Sequence, residues 1–168
     1  MLVFGAVAYT AALATAGKLL GYHVTVCDAR PVFATAERVP DADEIVVAWP
    51  DRFLASTTVD SRTVICSLGH DPKFEIPLLA IALRGPAGYV GALGSRRTHD
   101  KRVAALRREG LGEDEIARLR APIGLDLGAR TPQETAISIA AEIVATRSGA
   151  NGGELRSSSG PIHGPGTL

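Results

Sequence analysis

Residues 2–28 read LVFGAVAYTAALATAGKLLGYHVTVCD, and their order decides the fold. Residues 2–6 are a short apolar run broken by Gly5, the mark of a buried strand. Residues 8–20 are rich in Ala and Leu, as a helix would be, and Gly21 stands where a helix would be capped. Residues 22–27 alternate and favour Val and Thr, so they read as a second strand, stopped by Asp28 and Pro31. The pattern is strand, helix, strand, and the rest of the chain repeats it. Residues 44–49 (EIVVAW) form a third strand closed by Pro50, and 51–56 make a helical turn. Residues 62–68 (RTVICSL) form a fourth strand and 72–84 a helix. Residues 89–93 form a fifth strand between glycines. Residues 96–109 form a basic amphipathic helix with Val103, Ala104 and Leu106 on its apolar side, ended by Gly110 and Gly112. A second short helix is expected over 113–120 and a sixth strand over 121–126. The helix over 131–147 has the clearest signals. Thr131 is the N-cap, Pro132 takes the first position and Glu134 completes a capping box. Its apolar stripe is read as Ile137, Ala140, Ala141 and Val144.

Short apolar strands alternating with helices specify an α/β fold: a doubly wound parallel sheet with helices on both faces. Right-handed crossovers select the Rossmann-like strand order 3-2-1-4-5-6. Residues 1–148 are thus expected as a single three-layer domain. Residues 149–168 have too little apolar surface to offset their ordering entropy and are expected to be a disordered tail. The strand order also separates the cysteines. Cys27 and Cys66 fall on the second and fourth strands with the first between them. Two spacings of ~4.8 Å put them about 10 Å apart, too far for a disulfide.

Composition excludes several functions. A chain of 168 residues is the length of one domain. Eighteen basic and 18 acidic residues leave no basic coat for nucleic acid. Aromatic residues are only 5%, too few for a base-stacking platform. Two cysteines in apolar runs make neither a disulfide framework nor a zinc site, and they suit reduced thiols in a cytoplasm. Residues 1–17 are Ala-rich but lack the basic start of a signal peptide, and they are too short and too rich in Thr and Gly for a membrane span. The balanced charge hides an asymmetry. Residues 84–130 carry ten basic and six acidic side chains, a local cationic field suited to an anion.

Ligands of open α/β sheets bind beyond the carboxyl ends of the strands, where strand order reverses. Here that point lies between the first and fourth strands, beside Gly5–Thr10 and Gly69–Pro72. The first loop keeps only Gly5 of a dinucleotide fingerprint, with Val7 and Thr10 at the other glycine positions. The Val7 side chain obstructs the close approach a pyrophosphate needs. Asp28 lies where a ribose-binding acid would. His70 and Asp71 close the fourth strand, as a titrating pair or as a helix cap. After the fifth strand come Gly94, Ser95, Arg96 and Arg97. Ser95 can cap the helix that follows, whose N-terminus offers free N–H donors. Arg96, Arg97 and Lys101 oppose the helix dipole there, a cost that an incoming phosphate or carboxylate would offset. The competing reading has these side chains turned away and paired with Asp100 or Asp126. Cys27 and Cys66 read as packing residues. No nucleophilic triad, phosphate loop or metal-ligand spacing is visible.

Two long strings carry a likeness: PAGYVGALGSRRTHDKR (86–102) and LRAPIGLDLGARTPQETAISIAAEIVATR (119–147), with HDPKF (70–74) and VTVCDARPVFATAERVPDADEIVVAWP (24–50). Together they resemble the C-terminal Rossmann-like domain of the XdhC/CoxI family, over roughly residues 2–148. The resemblance implies an accessory chaperone for molybdenum hydroxylases of the xanthine dehydrogenase or carbon monoxide dehydrogenase type. Such a protein would bind molybdenum cofactor, as molybdopterin or its cytosine dinucleotide, aid its sulfuration and deliver it to the apoenzyme. The cofactor's phosphate would suit the start of the helix at Gly94–Arg97. The resemblance also implies an N-terminal domain that the sequence does not open with; a separate polypeptide carrying that half and a stand-alone or truncated member are the alternatives. A homodimer is a further expected assembly. Family members commonly read GAG where Val7 stands, so nucleotide binding through that loop is set against the resemblance. Two other readings compete: an NAD(P)- or FAD-dependent oxidoreductase, and a partner-binding module without a small ligand.

Overall fold

The computed structural model describes residues 1–157, 159 and 162. Six strands form one parallel sheet in the order β3-β2-β1-β4-β5-β6, as the sequence predicts. They are β1 (Leu2–Phe4), β2 (Thr25–Asp28), β3 (Glu44–Val47), β4 (Val64–Ser67), β5 (Tyr89–Ala92) and β6 (Leu119–Arg120). The helices are α1 (Thr10–Leu19), α2 (Pro50–Ser56), α3 (Pro72–Arg84), α4 (Arg96–Arg108), α5 (Glu113–Ala117) and α6 (Pro132–Ser148).

Side chains of a strand alternate between faces, and here the alternation builds two cores. Leu2, Phe4, Cys27, Ile65 and Val90 meet α2, α3, α4 and α5 through Leu54, Leu79, Leu83, Leu106 and Ile116. Val3, Val26, Val64, Cys66 and Tyr89 meet α1 and α6 through Leu13, Ile139 and Ile143. The two cysteines are free, buried and on opposite faces, with β1 between their strands.

Helix starts follow the local signals. Asp71 accepts from the Lys73 N–H, and Ser95 accepts from that of Thr98. Thr131 and Glu134 form the expected capping box.

Three expectations are corrected. The sixth strand is Leu119–Arg120, not 121–126, and α5 stops at Ala117 to make room for it. Pro122 has no N–H to give a ladder, so pairing with β5 cannot run on through it. The buried face of α6 is Ala136, Ile139 and Ile143, while Ile137 is 60% exposed and Val144 36%. Both faces of this helix are apolar, so period alone could not choose. The Ser138 hydroxyl, donating to Leu125 O, and Glu142, accepting from Gly124 N–H, set its rotation. On α4 the buried pair is Arg102 and Leu106, and Ala104 is exposed.

The expected disordered tail, 149–168, falls partly on residues outside those described. Residues 149–157 are exposed, with a 3-10 turn at Leu155–Ser157. Among the described residues, no helix is long and apolar enough to cross a membrane.

Candidate functional site

At the switch point Phe4 O accepts from the N–H groups of both Leu68 and Gly69, bringing the β1 and β4 loops together. A Cβ on Gly5 would lie 2.6 Å from Gly69 N, and Gly5 has φ +98°, so only glycine fits this crossing. Beside it opens a cleft of about 170 Å³. Its apolar wall is Phe4, Val7, Phe74 and Leu78. Its polar wall is Asp28, Arg30, His70, Asp71 and Glu75. Gly5, Asp28, His70 and Asp71, all singled out from the sequence, therefore come together here. Gly94, Ser95, Arg96 and Arg97 do not line this cleft; they follow β5, the strand next to β4.

The first loop is closed on itself. Ala6 N–H donates to Asp28 Oδ2 at 2.7 Å and Val7 N–H to Thr10 Oγ1 at 3.0 Å. The Thr10 hydroxyl, fully buried, donates to Gly5 O at 2.6 Å. The Ala6 and Val7 N–H groups, part of the loop that cradles a pyrophosphate in a dinucleotide fold, already have partners.

Asp28 is equally committed. Besides Ala6 it accepts from the Arg30 backbone N–H, Nε and Nη2 at 2.8–3.0 Å. Burial acts to raise its carboxyl pKa, but the hydrogen bonds from Arg30 and Ala6 outweigh it and hold the group below its ordinary value. Arg30 lies over the Phe33 ring at 4.4 Å.

The sequence pattern did not reveal the ion pair behind the cleft. Arg102 Nη2 donates to Glu75 Oε1 at 2.6 Å and to Leu93 O at 2.7 Å. The two side chains are 1% and 5% exposed. The pair ties α3 to α4 and to the end of β5. Arg102 Nε and Nη1 are buried without a hydrogen-bond partner among the described residues. The one available signal is a charge inside each apolar stripe: Arg102 four residues before Leu106, and Glu75 three before Leu78.

The cationic third of the chain divides by function in the fold. Arg118 donates to the carbonyls of Leu83, Gly85 and Ala87 at the end of α3, and Arg107 pairs with Glu113. Arg96, Arg97 and Lys101 are exposed and make no ion pair, with Asp100, Asp126 or any other described residue. The first turn of α4 holds no acidic residue.

Neither thiol is poised for sulfur chemistry. Burial pushes both Cys27 and Cys66 up to about 12. The Cys27 thiol also donates to Ala48 O at 3.5 Å.

A doubly wound parallel sheet with a small cleft at its β1/β4 switch point defines a Rossmann-type domain. Residues 1–143 match the XdhC Rossmann domain family, and the chain belongs to it. It is similar to the molybdenum cofactor insertion chaperone PaoD of Escherichia coli K12, with 38% identity over 93 residues, 55% of this chain and 29% of PaoD. It is 28% identical to a probable xanthine dehydrogenase subunit of Bacillus subtilis 168, over 88% of this chain and 42% of that protein. A crystal structure of a xanthine dehydrogenase from Bacillus halodurans superposes with a TM-score of 0.76 at 29% identity, over 94% of this chain and 44% of that one. The chain thus spans less than half the length of these relatives.

Proposed function

We propose that this domain handles molybdenum cofactor, as molybdopterin or its cytosine dinucleotide, on its way into the apoenzyme of a molybdenum hydroxylase in the cytoplasm. The relative named a molybdenum cofactor insertion chaperone supports the class of cargo. The observation that carries the reading is the start of α4. Arg96, Arg97 and Lys101 stand exposed and unpaired around a 13-residue helix whose N-terminus favours an anion. They lie one strand away from the cleft, and a cofactor with a ring at one end and a phosphate at the other suits two neighbouring subsites. Gly94 and Ser95 shape the helix start, and Gly5, Asp28, His70 and Asp71 shape the cleft. The partners proposed are the hydroxylase and an N-terminal XdhC/CoxI-type domain, with self-association into a homodimer.

In this role the chain's own residues bind and orient. The guanidinium groups hold the phosphate, and the apolar wall shields one face of the ring from water. The buried thiols take no part in sulfur transfer.

The test is a titration of the full chain with molybdenum cofactor, its cytosine dinucleotide form, NAD, NADP and FAD. Micromolar or tighter binding of the pterin ligands, with the nicotinamide and flavin cofactors silent, is expected. Tight NAD(P) or FAD binding with hydride transfer would establish the oxidoreductase reading instead. Silence with every ligand would leave a partner-binding module.

A further inference from the structure

Charge in the cleft distinguishes the two ends of such a cargo. Three carboxylates and one guanidinium line it. Arg30 spends Nε and Nη2 on Asp28, and Arg102 neutralises Glu75 from behind. That leaves the cleft with one net negative charge, on Asp71, which Arg30 attracts without an ion pair, and such a cleft is a poor host for phosphate.

The free hydrogen-bonding capacity points the same way. Glu75 uses only Oε1, and Asp71 uses only Oδ1, on the Lys73 N–H. No hydrogen bond reaches Glu75 Oε2 or Asp71 Oδ2 among the described residues. Glu75 is a cleft-lining side chain 95% buried, so a ligand reaching its open oxygen would bond in a dry setting, where such a bond is strong. Behind these acceptors stand Phe74 and Leu78, flat apolar surface for a ring. The cleft's volume of about 170 Å³ matches one ring system, since on the order of 150 Å³ encloses a benzene.

We propose that the cleft takes the 2-amino-4-oxopyrimidine ring of a pterin, its N–H edge turned to Glu75 and Asp71, with the phosphate kept outside at the start of α4. This rests on the reading of molybdenum cofactor as the cargo. The ring N–H and the adjacent exocyclic amine are two parallel donors, the complement of a carboxylate acceptor. Cytosine offers an amine beside a bare acceptor nitrogen, so the cytosine end of the dinucleotide is the poorer match.

Trp49 is the single tryptophan, and its ring lies 5.0 Å from that of Phe74 in the cleft wall. Its indole N–H resonance therefore reports occupancy. The full chain is titrated with pterin, with lumazine (in which a carbonyl replaces the 2-amino group), with cytidine and with inorganic phosphate. Pterin is expected to shift the Trp49 resonance, with lumazine and cytidine at least about tenfold weaker, because an acceptor would then face the carboxylates. Phosphate is expected not to compete. Glu75→Gln and Asp71→Asn should each weaken pterin about tenfold or more. Glu75→Gln removes the charge that answers buried Arg102 and risks unfolding. Asp71→Asn keeps an N-cap for α3 and carries the test alone if needed. Equal binding of lumazine and pterin, competition by phosphate, or an Asp71→Asn variant with wild-type affinity would overturn the assignment. Should the cofactor bind while pterin leaves the Trp49 signal unmoved, this assignment fails and the proposed function stands. Should the cofactor itself not bind, the proposed function fails as well.

Discussion

The cleft and the start of α4 sit on neighbouring strands, yet they hold charge in opposite ways. In the cleft almost every charge is answered: Asp28 by Arg30, and Glu75 by Arg102. At the start of α4, Arg96, Arg97 and Lys101 are left to solvent with the helix dipole against them. An answered charge holds a fold together. An unanswered one carries a standing cost that a ligand can relieve. The two patches should therefore respond oppositely to mutation, one in stability and the other in affinity.

The largest effect is expected at Arg102. Arg102→Met leaves Glu75 buried without its partner, and urea unfolding should show a loss of about 3–5 kcal/mol. Adding Glu75→Leu should recover most of it, because a packed apolar pair can replace a buried ion pair. A single variant as stable as wild type would erase the contrast between the two patches.

Asp28 comes next. Asp28→Asn weakens charge-assisted bonds to Ala6 and Arg30 and should cost about 1.5–3 kcal/mol near neutrality. The pH dependence has a definite sign. The folded carboxyl is held below its unfolded value of about 3.9. Its contribution is therefore complete above that value and is lost as pH falls through the folded pKa. Unfolding midpoints measured from pH 6 down to pH 2 should drop for the wild type in the region below about pH 4. The asparagine variant should lack that part of the drop. Parallel curves would mean that Asp28 does not hold the first loop.

The smallest effect on stability is expected where the effect on binding is largest. Arg96→Ala with Arg97→Ala should change the unfolding free energy by no more than about 0.5 kcal/mol per site. Any change should be toward greater stability, since two cations leave a helix N-terminus. A clear destabilisation would place these arginines among the structural charges.

Much of this contrast is invisible in the sequence, for a physical reason. Strand order and helix starts rest on local signals, so residues 2–28 and the caps at Ser95 and Thr131 can be read directly. The Glu75–Arg102 pair joins residues 27 positions apart on different helices, and no local pattern announces which charge in an apolar stripe finds a mate. The buried face of α6 escapes a reading by period because Ile137 and Val144 make as good a stripe as Ile139 and Ile143. Only tertiary bonds to 124–125 separate them. The apolar pattern sets the sixth strand too late because Pro122 acts at the level of the ladder and not of that pattern. At the cleft, residue types mark Gly5, Asp28, His70 and Asp71. That the Asp28 carboxylate turns to the Ala6 N–H is clear only with the loop in place.

The most direct measurement is calorimetry of molybdopterin binding to the wild type and to the Arg96→Ala, Arg97→Ala variant, at two salt concentrations. Saturable binding by the wild type that weakens with salt is expected. The equally stable variant should bind at least about tenfold more weakly and with less sensitivity to salt. The same affinity and the same salt dependence in both proteins would contradict this expectation.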